Sequence, residues 1–434
     1  MCNTINFENI VVFRTAPTHI LELNTLHRRK EFRLKHDNLI AVENHVSRKY
    51  IETGKFVGAI TAVLDGENVV FCSPLGMMDR ERNKSLKRNT IFRIYSMTKP
   101  VTSLALMMLY EKGFFRLDDP VYEFIPEFRY IEVFTGGTYK NFKTIPTDRH
   151  MTIRDLLSHQ SGLTYDFMRQ TPVDEAYRKE GLGRNKKMDL RNMVDILSGL
   201  PLEFSPGTYW NYSYATDVCG HLIEVISGKS LDVFLREKIF DPLSMEDTDF
   251  FVPPSKIDRL AANYLYMGED KSPMLVDDPL GSAFTELPEF LSGGGGLVST
   301  VDDYLHFCKI FLSEGFIGKE RLVNRDTIKL MSTNQLPYSR DLSHCAFGSW
   351  SESNFKGVGF GLGFSVLLDT EKQIGHGNSG ELAWGGMAST SFWIDPLSDM
   401  AVVFMTQMMP SDATNIRDEL RAYIYGVSGE YNGT

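Results

Sequence analysis

Cysteine is scarce in this sequence, and its few occurrences lie far apart. Among 434 residues the cysteines are Cys2, Cys72, Cys219, Cys308 and Cys345, and no two of them form a C-x-x-C pair. Their odd number and wide spacing predict neither a disulfide framework nor a zinc ribbon. We therefore expect mostly reduced, buried thiols.

Long apolar runs and blocks of like charge are also missing. No stretch approaches the roughly 18 uninterrupted apolar residues of a membrane-spanning helix, and residues 1–30 lack the pattern of a secretory leader. The 46 Lys and Arg against 56 Asp and Glu give a formal net charge of −10, scattered along the chain. This balance argues against a nucleic-acid or membrane partner. The missing leader pattern and the lack of a long apolar run predict a cytoplasmic protein.

Several familiar catalytic motifs are absent as well. The sequence contains no G-x-x-x-x-G-K-[ST] and no H-E-x-x-H, and the run GVGFGLGF lacks the last glycine of G-x-G-x-x-G. The closest approach to the nucleophile elbow G-x-S-x-G is GNSGE at residues 377–381, which ends in glutamate. We therefore expect no nucleotide cofactor and no metal, and an α/β-hydrolase fold is disfavoured.

What is present begins with an ordinary globular composition, 42% hydrophobic and 24% charged. Two β-rich runs surround Asp65 and Gly66, which is a strong hairpin signal. Residues 101–113 carry apolar side chains at helical spacing and end at Gly113, which predicts an amphipathic helix.

The elements follow one another in a pattern of strands, helices and strands again. Helical patterns and long loops with weak strand signals fill residues 115–305, and strand signals return after about residue 355. We predict an α+β fold, with a mainly antiparallel sheet built from both ends of the chain, flanked by helices and interrupted by a helical insertion. The predicted division is an extension at 1–35, a discontinuous α/β domain at 36–115 and 306–434, and a helical insertion domain at 116–305.

A serine stands three residues before a lysine at two places. The pair Ser353 and Lys356 lies among glycines and aromatics without helical periodicity, which indicates an incidental loop pair. Ser96 and Lys99, in YSMTKP, precede the predicted helix, where residues i and i+3 are about 5–6 Å apart at Cβ. The local string allows two interpretations, a nucleophile with its base or an N-cap serine with a surface lysine.

The position of Ser96 at the start of a predicted helix favours nucleophilic chemistry. Unpaired N–H groups and a positive partial charge at a helix N-terminus stabilise an oxyanion. Pro100 fits this position, because a proline in the first turn gives up only a donor without an intrahelical partner. A lysine buried there is expected to be neutral near pH 7 and to accept a proton from the serine.

Six segments, in this order, resemble the serine β-lactamase-like superfamily. They are FRIYSMTKP, MTIRDLLSHQSGL, FSPGTYWNYSYATDVCGHLIEVISGKSL, IFDPLSMEDTDF, GGGGLVSTVDDYLHF and AWGGMASTSFWIDP. The set is most similar to the family VIII carboxylesterases, which resemble class C β-lactamases and DD-peptidases, and it covers roughly residues 35–410. The resemblance implies the β-lactamase/DD-peptidase fold, with a site in the cleft between the sheet and the helical domain.

The resemblance also implies roles for three side chains. Ser96 would be the acylated nucleophile and Lys99 its proton acceptor, as the S-x-x-K pair of the superfamily. The tyrosine of the Y-x-N motif falls on Tyr212, which would relay the proton to the leaving group and later activate water. Viewed without the resemblance, Tyr212 would be interpreted as a packing aromatic.

The third motif of the superfamily, K-T-G, corresponds here to Trp384, Gly385 and Gly386. The resemblance implies that the amide of the next residue, Met387, pairs with the amide of Ser96 as an oxyanion hole. Without the resemblance, the two glycines indicate a bulge or a close approach between strands, which is compatible with the same role.

Two positions depart from the β-lactamase pattern. Tyr214 replaces the asparagine of Y-x-N, and Trp384 replaces the lysine of K-T-G, so a side-chain amide and a cation are both lost. The aromatic surface that remains suits an uncharged acyl or aryl ester. We therefore expect a serine carboxylesterase acting on a small-molecule ester. The alternatives are a β-lactamase, a D-amino acid peptidase, an acyltransferase, or a non-catalytic binding protein.

Three further residues lie in segments that carry the resemblance or close to them. Tyr165 is expected to line the substrate pocket, and His159, in LLSHQSGL, is expected to be architectural. His376, in GHGNSG, either lines the pocket or is an ordinary loop histidine.

Overall fold

Strands from both ends of the chain come together in a computed structural model of the protein. The residues that this structure describes are 34–183, 188–269, 271–348, 356–370 and 377–427. In chain order, their strands are β1 (Gly58–Asp65), β2 (Asn68–Asp79), β3 (Lys84–Ser85), β4 (Phe92–Arg93), β5 (Glu132–Thr138), β6 (Asn141–Pro146), β7 (Asn263–Leu265), β8 (Met274–Asp277), β9 (Val298–Ser299), β10 (Phe316–Ile317), β11 (Glu320–Arg321), β12 (Val358–Phe360), β13 (Ser365–Leu367), β14 (Leu382–Gly385), β15 (Ser391–Asp395), β16 (Met400–Thr406) and β17 (Met408–Met409).

The helices lie mostly between the two groups of strands. In chain order they are α1 (His36–Val46), α2 (Thr98–Glu111), α3 (Ile153–Leu157), α4 (Pro172–Lys179), α5 (Leu190–Ser198), α6 (Ala215–Ser227), α7 (Leu231–Leu235), α8 (Val301–Leu312), α9 (Arg325–Met331), α10 (Leu342–Cys345) and α11 (Ile416–Tyr425). None of the helices in the described ranges is both long and apolar enough to cross a membrane.

The main sheet confirms the predicted α+β class. Within the described residues it has eight strands in the order β12-β13-β14-β15-β16-β1-β2-β3. Every neighbouring pair is antiparallel. The first described strand, β1, lies between β2 and β16, so strands from the N-terminal and C-terminal parts of the described chain build one sheet.

Two predicted local elements are confirmed in detail. Asp65 pairs with Asn68 across a tight turn in which Gly66 has φ +56°, a conformation that glycine adopts without strain. Helix α2 covers the predicted amphipathic segment, and Gly113, with φ +77°, follows its end.

Helices cover both faces of the sheet, and the side chains of β1 alternate between the two covers. Ala59 and Val63 pack in the cluster that contains apolar residues of α1 and α11. Ile60, Ala62 and Leu64 pack in the larger cluster that contains α2, α6 and α8. This alternation is the period of two that an extended strand imposes on its side chains. Helix α2 and the site that it carries therefore rest on a sheet buried from both sides.

One hairpin lies in a segment where the sequence carries only weak strand signals. Strands β5 and β6 pair with each other inside the segment expected to hold helices and long loops. Most of their side chains are half-buried or exposed, so they lack the clear apolar alternation of a half-buried strand. The turn holds Lys140 at φ +71° in place of the glycine or asparagine that would have indicated it.

The division into domains stays a prediction. The larger cluster of buried apolar side chains joins residues of the predicted α/β domain, such as Leu104 and Phe392, to residues of the predicted helical insertion, such as Leu156 and Leu222. Packing therefore does not by itself separate the chain at the predicted boundaries.

Four of the five cysteines lie among the described residues, and none of these four is in a disulfide. Cys219, Cys308 and Cys345 are buried and Cys72 is half-buried. Cys2 lies outside the described ranges. The expectation of mostly reduced, buried thiols is confirmed for the four that the structure describes.

Glu419, on α11, connects this helix to α1, and its removal should destabilise the contact between them. Its carboxylate, 2% exposed, interacts with His45 Nε2 at 2.6 Å and accepts hydrogen bonds from Lys49 Nζ at 2.6 Å and Tyr50 Oη at 2.8 Å. We expect Glu419→Ala to lower the free energy of unfolding by about 3 kcal/mol, because it removes the buried carboxylate to which Tyr50, His45 and Lys49 all bond. Urea titration at neutral pH measures the loss, and Glu43→Ala, on the exposed face of α1, is the control.

The same carboxylate makes stability depend on pH. Burial alone would raise the pKa of Glu419, but the hydrogen bonds from His45, Lys49 and Tyr50 outweigh it and lower the pKa to about 2, from an ordinary value of 4.5. Because the folded-state pKa is depressed, this contribution is fully present above pH 4.5 and is lost as the pH falls toward 2. An unchanged difference between wild type and Glu419→Ala across that window would contradict the assignment.

Candidate active site

Ser96 lies in a tight turn that joins β4 to α2. The preceding residue, Tyr95, has φ +44°, a left-handed conformation that costs a non-glycine residue about 1–3 kcal/mol. Two hydrogen bonds hold the turn, from Asn263 Nδ2 to Tyr95 Oη at 2.9 Å and from Tyr304 Oη to the Met97 carbonyl at 2.8 Å. The turn therefore presents Ser96 at the N-terminus of α2 in one defined orientation.

Three of the predicted side chains meet at the Ser96 hydroxyl. Tyr212 Oη donates a hydrogen bond to Ser96 Oγ at 2.6 Å, and Lys99 Nζ donates to the same oxygen at 3.3 Å. Lys99 Nζ also lies 4.2 Å from the centroid of the Tyr212 ring. Lys99 is 1% exposed and Tyr212 is 2% exposed, whereas Ser96 is half-buried. The hydroxyl thus contacts two shielded groups that are able to exchange a proton with it.

Lys99 has a second polar partner on a loop far away in sequence. Its Nζ donates a hydrogen bond to the carbonyl oxygen of Gly294 at 2.7 Å. The spacing of three residues places Lys99, in the first turn of α2, on the same side as Ser96. The hydrogen bond to the Gly294 carbonyl fixes the position of the Lys99 amine. Gly294 belongs to the run of four glycines at residues 293–296.

The segment before α6 holds Tyr212 in place. The Asn211 amide donates to the His159 carbonyl at 2.8 Å, and Asn211 Nδ2 donates to the Leu163 carbonyl at 2.9 Å. The Tyr212 ring lies against the rings of His159 at 5.1 Å and Trp384 at 5.6 Å between centroids. The phenol is therefore fixed by backbone hydrogen bonds on one side and by aromatic packing on the other.

His159 is buried beneath Tyr212. Its Nδ1 is 3.2 Å from Ser213 Oγ, and its ring packs against Phe360 at 5.5 Å. Burial lowers the pKa of His159 well below its usual value, and the positive charge of Lys99 lowers it further. The imidazole is consequently neutral at physiological pH and contributes a packing surface for Tyr212.

Tyr165 and Tyr214 are both buried, but they contact different groups. The Tyr165 ring lies 5.2 Å from Lys99 Nζ and stacks at 4.6 Å on Phe167, which is exposed. Tyr214 packs against Tyr165 at 4.5 Å and donates its hydroxyl proton to Asp166 Oδ1 at 2.8 Å. Tyr165 is thus next to the lysine, whereas Tyr214 is a buried support behind it.

The end of strand β14 approaches the Ser96 turn closely. A β-carbon on Gly386 would lie 2.4 Å from the Ile94 carbonyl oxygen and 2.2 Å from Thr390 Oγ1, so only glycine fits. Trp384, half-buried on the same strand, packs against Tyr212. Met387 is 45% exposed, and no described residue accepts a hydrogen bond from its amide. This amide, one residue beyond the close contact, is available as a donor.

Two predicted residues lie outside the described ranges, and two residues near the site were not predicted. His376 and Ser353 lie outside the described residues. Sequence reasoning missed Asp217, which binds the glycine run, and it missed Asn263, which holds Tyr95. The glycine run was the available signal for Asp217, because consecutive glycines indicate close backbone approach.

Within the described ranges, no group of three or more His, Cys, Asp or Glu side chains is placed where it would hold a metal ion.

Comparisons with known proteins agree on one family. The family model named Beta-lactamase matches residues 44–425. An uncharacterised protein of Mycobacterium tuberculosis is 32% identical over 84% of this chain and 88% of its own length. Esterase EstB of Burkholderia gladioli is 28% identical over 86% of this chain and 92% of its own. The solved structure of EstCE1, described as a hydrolase with promiscuous acyltransferase activity, superposes with a TM-score of 0.75 at 27% identity, covering 90% of this chain and 99% of that one.

The close approach at Gly386 is open to a direct test. We expect Gly386→Ala to lower the free energy of unfolding by about 1–3 kcal/mol, because the added methyl group has to displace Ile94 or Thr390. Denaturant titration measures the change. Gly136→Ala is the matched control, since a β-carbon there meets nothing within 4 Å. Equal effects of the two substitutions would contradict the close approach.

Proposed function

The chain belongs to the β-lactamase family and is a serine hydrolase, and from this premise we propose that it is a carboxylesterase that forms an acyl-enzyme on Ser96. The observation that carries the proposal is that Tyr212 Oη, at 2.6 Å, and Lys99 Nζ, at 3.3 Å, both lie within hydrogen-bond distance of Ser96 Oγ. A serine hydroxyl is a weak nucleophile until an adjacent base takes its proton. Lys99, acting with Tyr212, is the base that this site provides.

The first half-reaction transfers the acyl group to the enzyme. As Ser96 Oγ attacks the ester carbonyl carbon, its proton passes to Tyr212, which at the same time gives its own proton to the neutral amine of Lys99, and the carbonyl oxygen becomes an oxyanion. When the tetrahedral intermediate collapses, the carbon–oxygen bond to the alcohol breaks, and Tyr212 gives the departing oxygen its proton. Lys99 returns its proton to Tyr212 once Tyr212 has protonated the leaving group. In the second half-reaction water attacks the acyl-enzyme, assisted by the same two side chains, and the carboxylic acid leaves.

The oxyanion requires donors that are already oriented. The proposal assigns this role to the amides of Ser96, at the start of α2, and Met387, just after β14. The close approach at Gly386 and the Met387 amide, which donates to no residue in the described ranges, support this pairing. Removal of a single donor of this kind typically costs about 2.7–4 kcal/mol of transition-state stabilisation.

The substrate class follows from the surroundings of the serine. Trp384 stands at the position of a lysine that would bind a carboxylate, and Tyr165 and Phe167 add further aromatic surface near Lys99. Such a lining favours a small uncharged acyl or aryl ester. Esterase EstB supports ester chemistry, and EstCE1, a hydrolase with promiscuous acyltransferase activity, supports acyl transfer as an accompanying reaction.

Ester hydrolysis is tested with p-nitrophenyl esters of increasing acyl length beside a chromogenic β-lactam. We expect turnover of the short esters, little turnover of the lactam, and a fall of about 10⁴-fold or more in Ser96→Ala, since the nucleophile is removed. Ser353→Ala, in the second serine–lysine string, is the control. A serine-reactive phosphonate should label the wild type at Ser96. Preference for the lactam would overturn the ester assignment, and absence of label at Ser96 would overturn the nucleophile.

The proton relay is tested by removing one oxygen atom. Tyr212→Phe keeps the ring packing against Trp384 and His159 but removes the hydroxyl that bonds to Ser96. We expect kcat/KM for the best ester to fall about 10²–10⁴-fold, the usual contribution of a positioned acid or base. Tyr209→Phe, a nearby exposed tyrosine, serves as the control. Full activity in Tyr212→Phe would show that the relay assignment is wrong.

A further inference from the structure

Asp217 is a buried carboxylate close to the proposed catalytic groups. It lies in the first turn of α6, five residues after Tyr212, and is 1% exposed. Its Oδ1 accepts hydrogen bonds from Ser292 Oγ at 2.6 Å and from the Gly294 amide at 3.0 Å. Its Oδ2 is 3.5 Å from Tyr165 Oη. The carboxylate therefore binds the glycine run directly.

The glycine run fits against α6 only because it has no side chains. A β-carbon on Gly294 would lie 2.5 Å from Asp217 Oδ2 and 2.7 Å from Tyr165 Oη. A β-carbon on Gly293 would lie 2.8 Å from the Thr216 carbonyl oxygen. The backbone of the loop is thus in contact with the first turn of α6, and Asp217 is the charged group at that contact.

The opposite side of the same loop is bonded to α2. Thr102 Oγ1 donates to the Gly293 carbonyl at 2.9 Å, and Lys99 Nζ donates to the Gly294 carbonyl at 2.7 Å. Gly294 consequently joins Asp217 through its amide to Lys99 through its carbonyl. Two hydrogen bonds and the backbone of Gly294 between them therefore connect the carboxylate to the amine that contacts Ser96.

An acidic residue in the first turn of a helix has a simpler explanation, which is interaction with the helix dipole. The bonds of Asp217 go beyond that role, because both of its Oδ1 bonds reach the loop. Burial raises the pKa of the carboxyl, while the Ser292 hydrogen bond and the charge of Lys99 act in the opposite direction. A polar group buried as deeply as this carboxylate normally has its hydrogen bonds satisfied.

We propose that Asp217 is a positioning residue for Lys99, because its hydrogen bonds hold the loop so that the Gly294 carbonyl keeps the lysine amine within reach of Ser96 Oγ. The proposal rests on the proposed function only for the role of Lys99 as a base. Displacement of a reacting group by about 1 Å commonly costs about 10²-fold in rate. Because Asp217 reaches the proposed substrate lining only through its long 3.5 Å contact with Tyr165 Oη, substrate binding should change much less than the rate.

The test compares three variants by ester kinetics and by the rate of phosphonate labelling of Ser96. Asp217→Ala removes both loop bonds, and we expect kcat to fall about 100-fold with KM within about 3-fold of wild type. Asp217→Asn keeps an acceptor oxygen, and we expect it to recover about 10-fold or more of the lost rate. The labelling rate should follow the same order, since it reports the activation of Ser96 without the ester.

Asp303→Ala is the matched control for a purely structural loss. Asp303 also lies in the first turn of a helix, α8, is also buried, and accepts hydrogen bonds from Thr248 Oγ1 and the Asp247 amide, each at 2.8 Å. We expect it to lower the melting temperature as Asp217→Ala does, but to leave kcat and the labelling rate near wild type. Equal kinetic losses in the two alanine variants would overturn the proposal, as would equal losses in Asp217→Ala and Asp217→Asn.

Two further outcomes are covered by the same design. If Asp217→Ala does not fold, Ser292→Ala, which removes only one partner of the carboxylate, should still lower the labelling rate about 5-fold, and an unchanged rate would overturn the proposal. If wild type is labelled at Ser96 but hydrolyses no ester, the proposed function fails while the labelling rates still decide the role of Asp217.

Discussion

The hydrogen-bonded contact of Ser96, Lys99 and Tyr212 sets the requirements that the rest of the structure meets. A buried amine and a buried phenol are costly unless each has partners, so α2 and α6 have to bring their N-terminal ends together accurately. The observed distances of 2.6 and 3.3 Å to Ser96 Oγ leave little room for movement between the two helices. The glycine run fills the space between these helix ends and supplies a further acceptor for Lys99.

The sheet provides the other half of the site. Strand β14 ends next to Gly386, which lies against Ile94 just before the turn that carries Ser96. The Met387 amide belongs to the residue that follows this close contact. Apolar side chains bury both faces of the sheet, with α1 and α11 on one side and α2 and α8 on the other. Because packed layers of this kind do not deform continuously, the strand end and the helix start keep their relative position.

Much of this arrangement was predictable, and the reasons differ from residue to residue. Helix α2 and the β1–β2 hairpin follow from local periodicity and from Gly66 and Gly113, and the structure confirms them. Hairpin β5–β6 was missed because its exposed strands have no buried face and its turn holds Lys140 instead of glycine. The role of Tyr214 in lining the pocket stays a prediction, but its hydrogen bond to Asp166, distant in sequence, and its packing against Tyr165 had no local signal.

The sequence by itself determined the fold class, the family resemblance and the pairing of Ser96 with Lys99, because these depend on residue types and on spacings of a few positions. The tertiary structure alone decided that Tyr212, 116 residues away, points its hydroxyl at Ser96, and that Gly294, 195 residues from Lys99, accepts from its amine. It also decided that Asp217 binds the glycine run. Such contacts arise from the packing of α2 against α6, and no local pattern encodes the distance between two elements that meet only when the core forms.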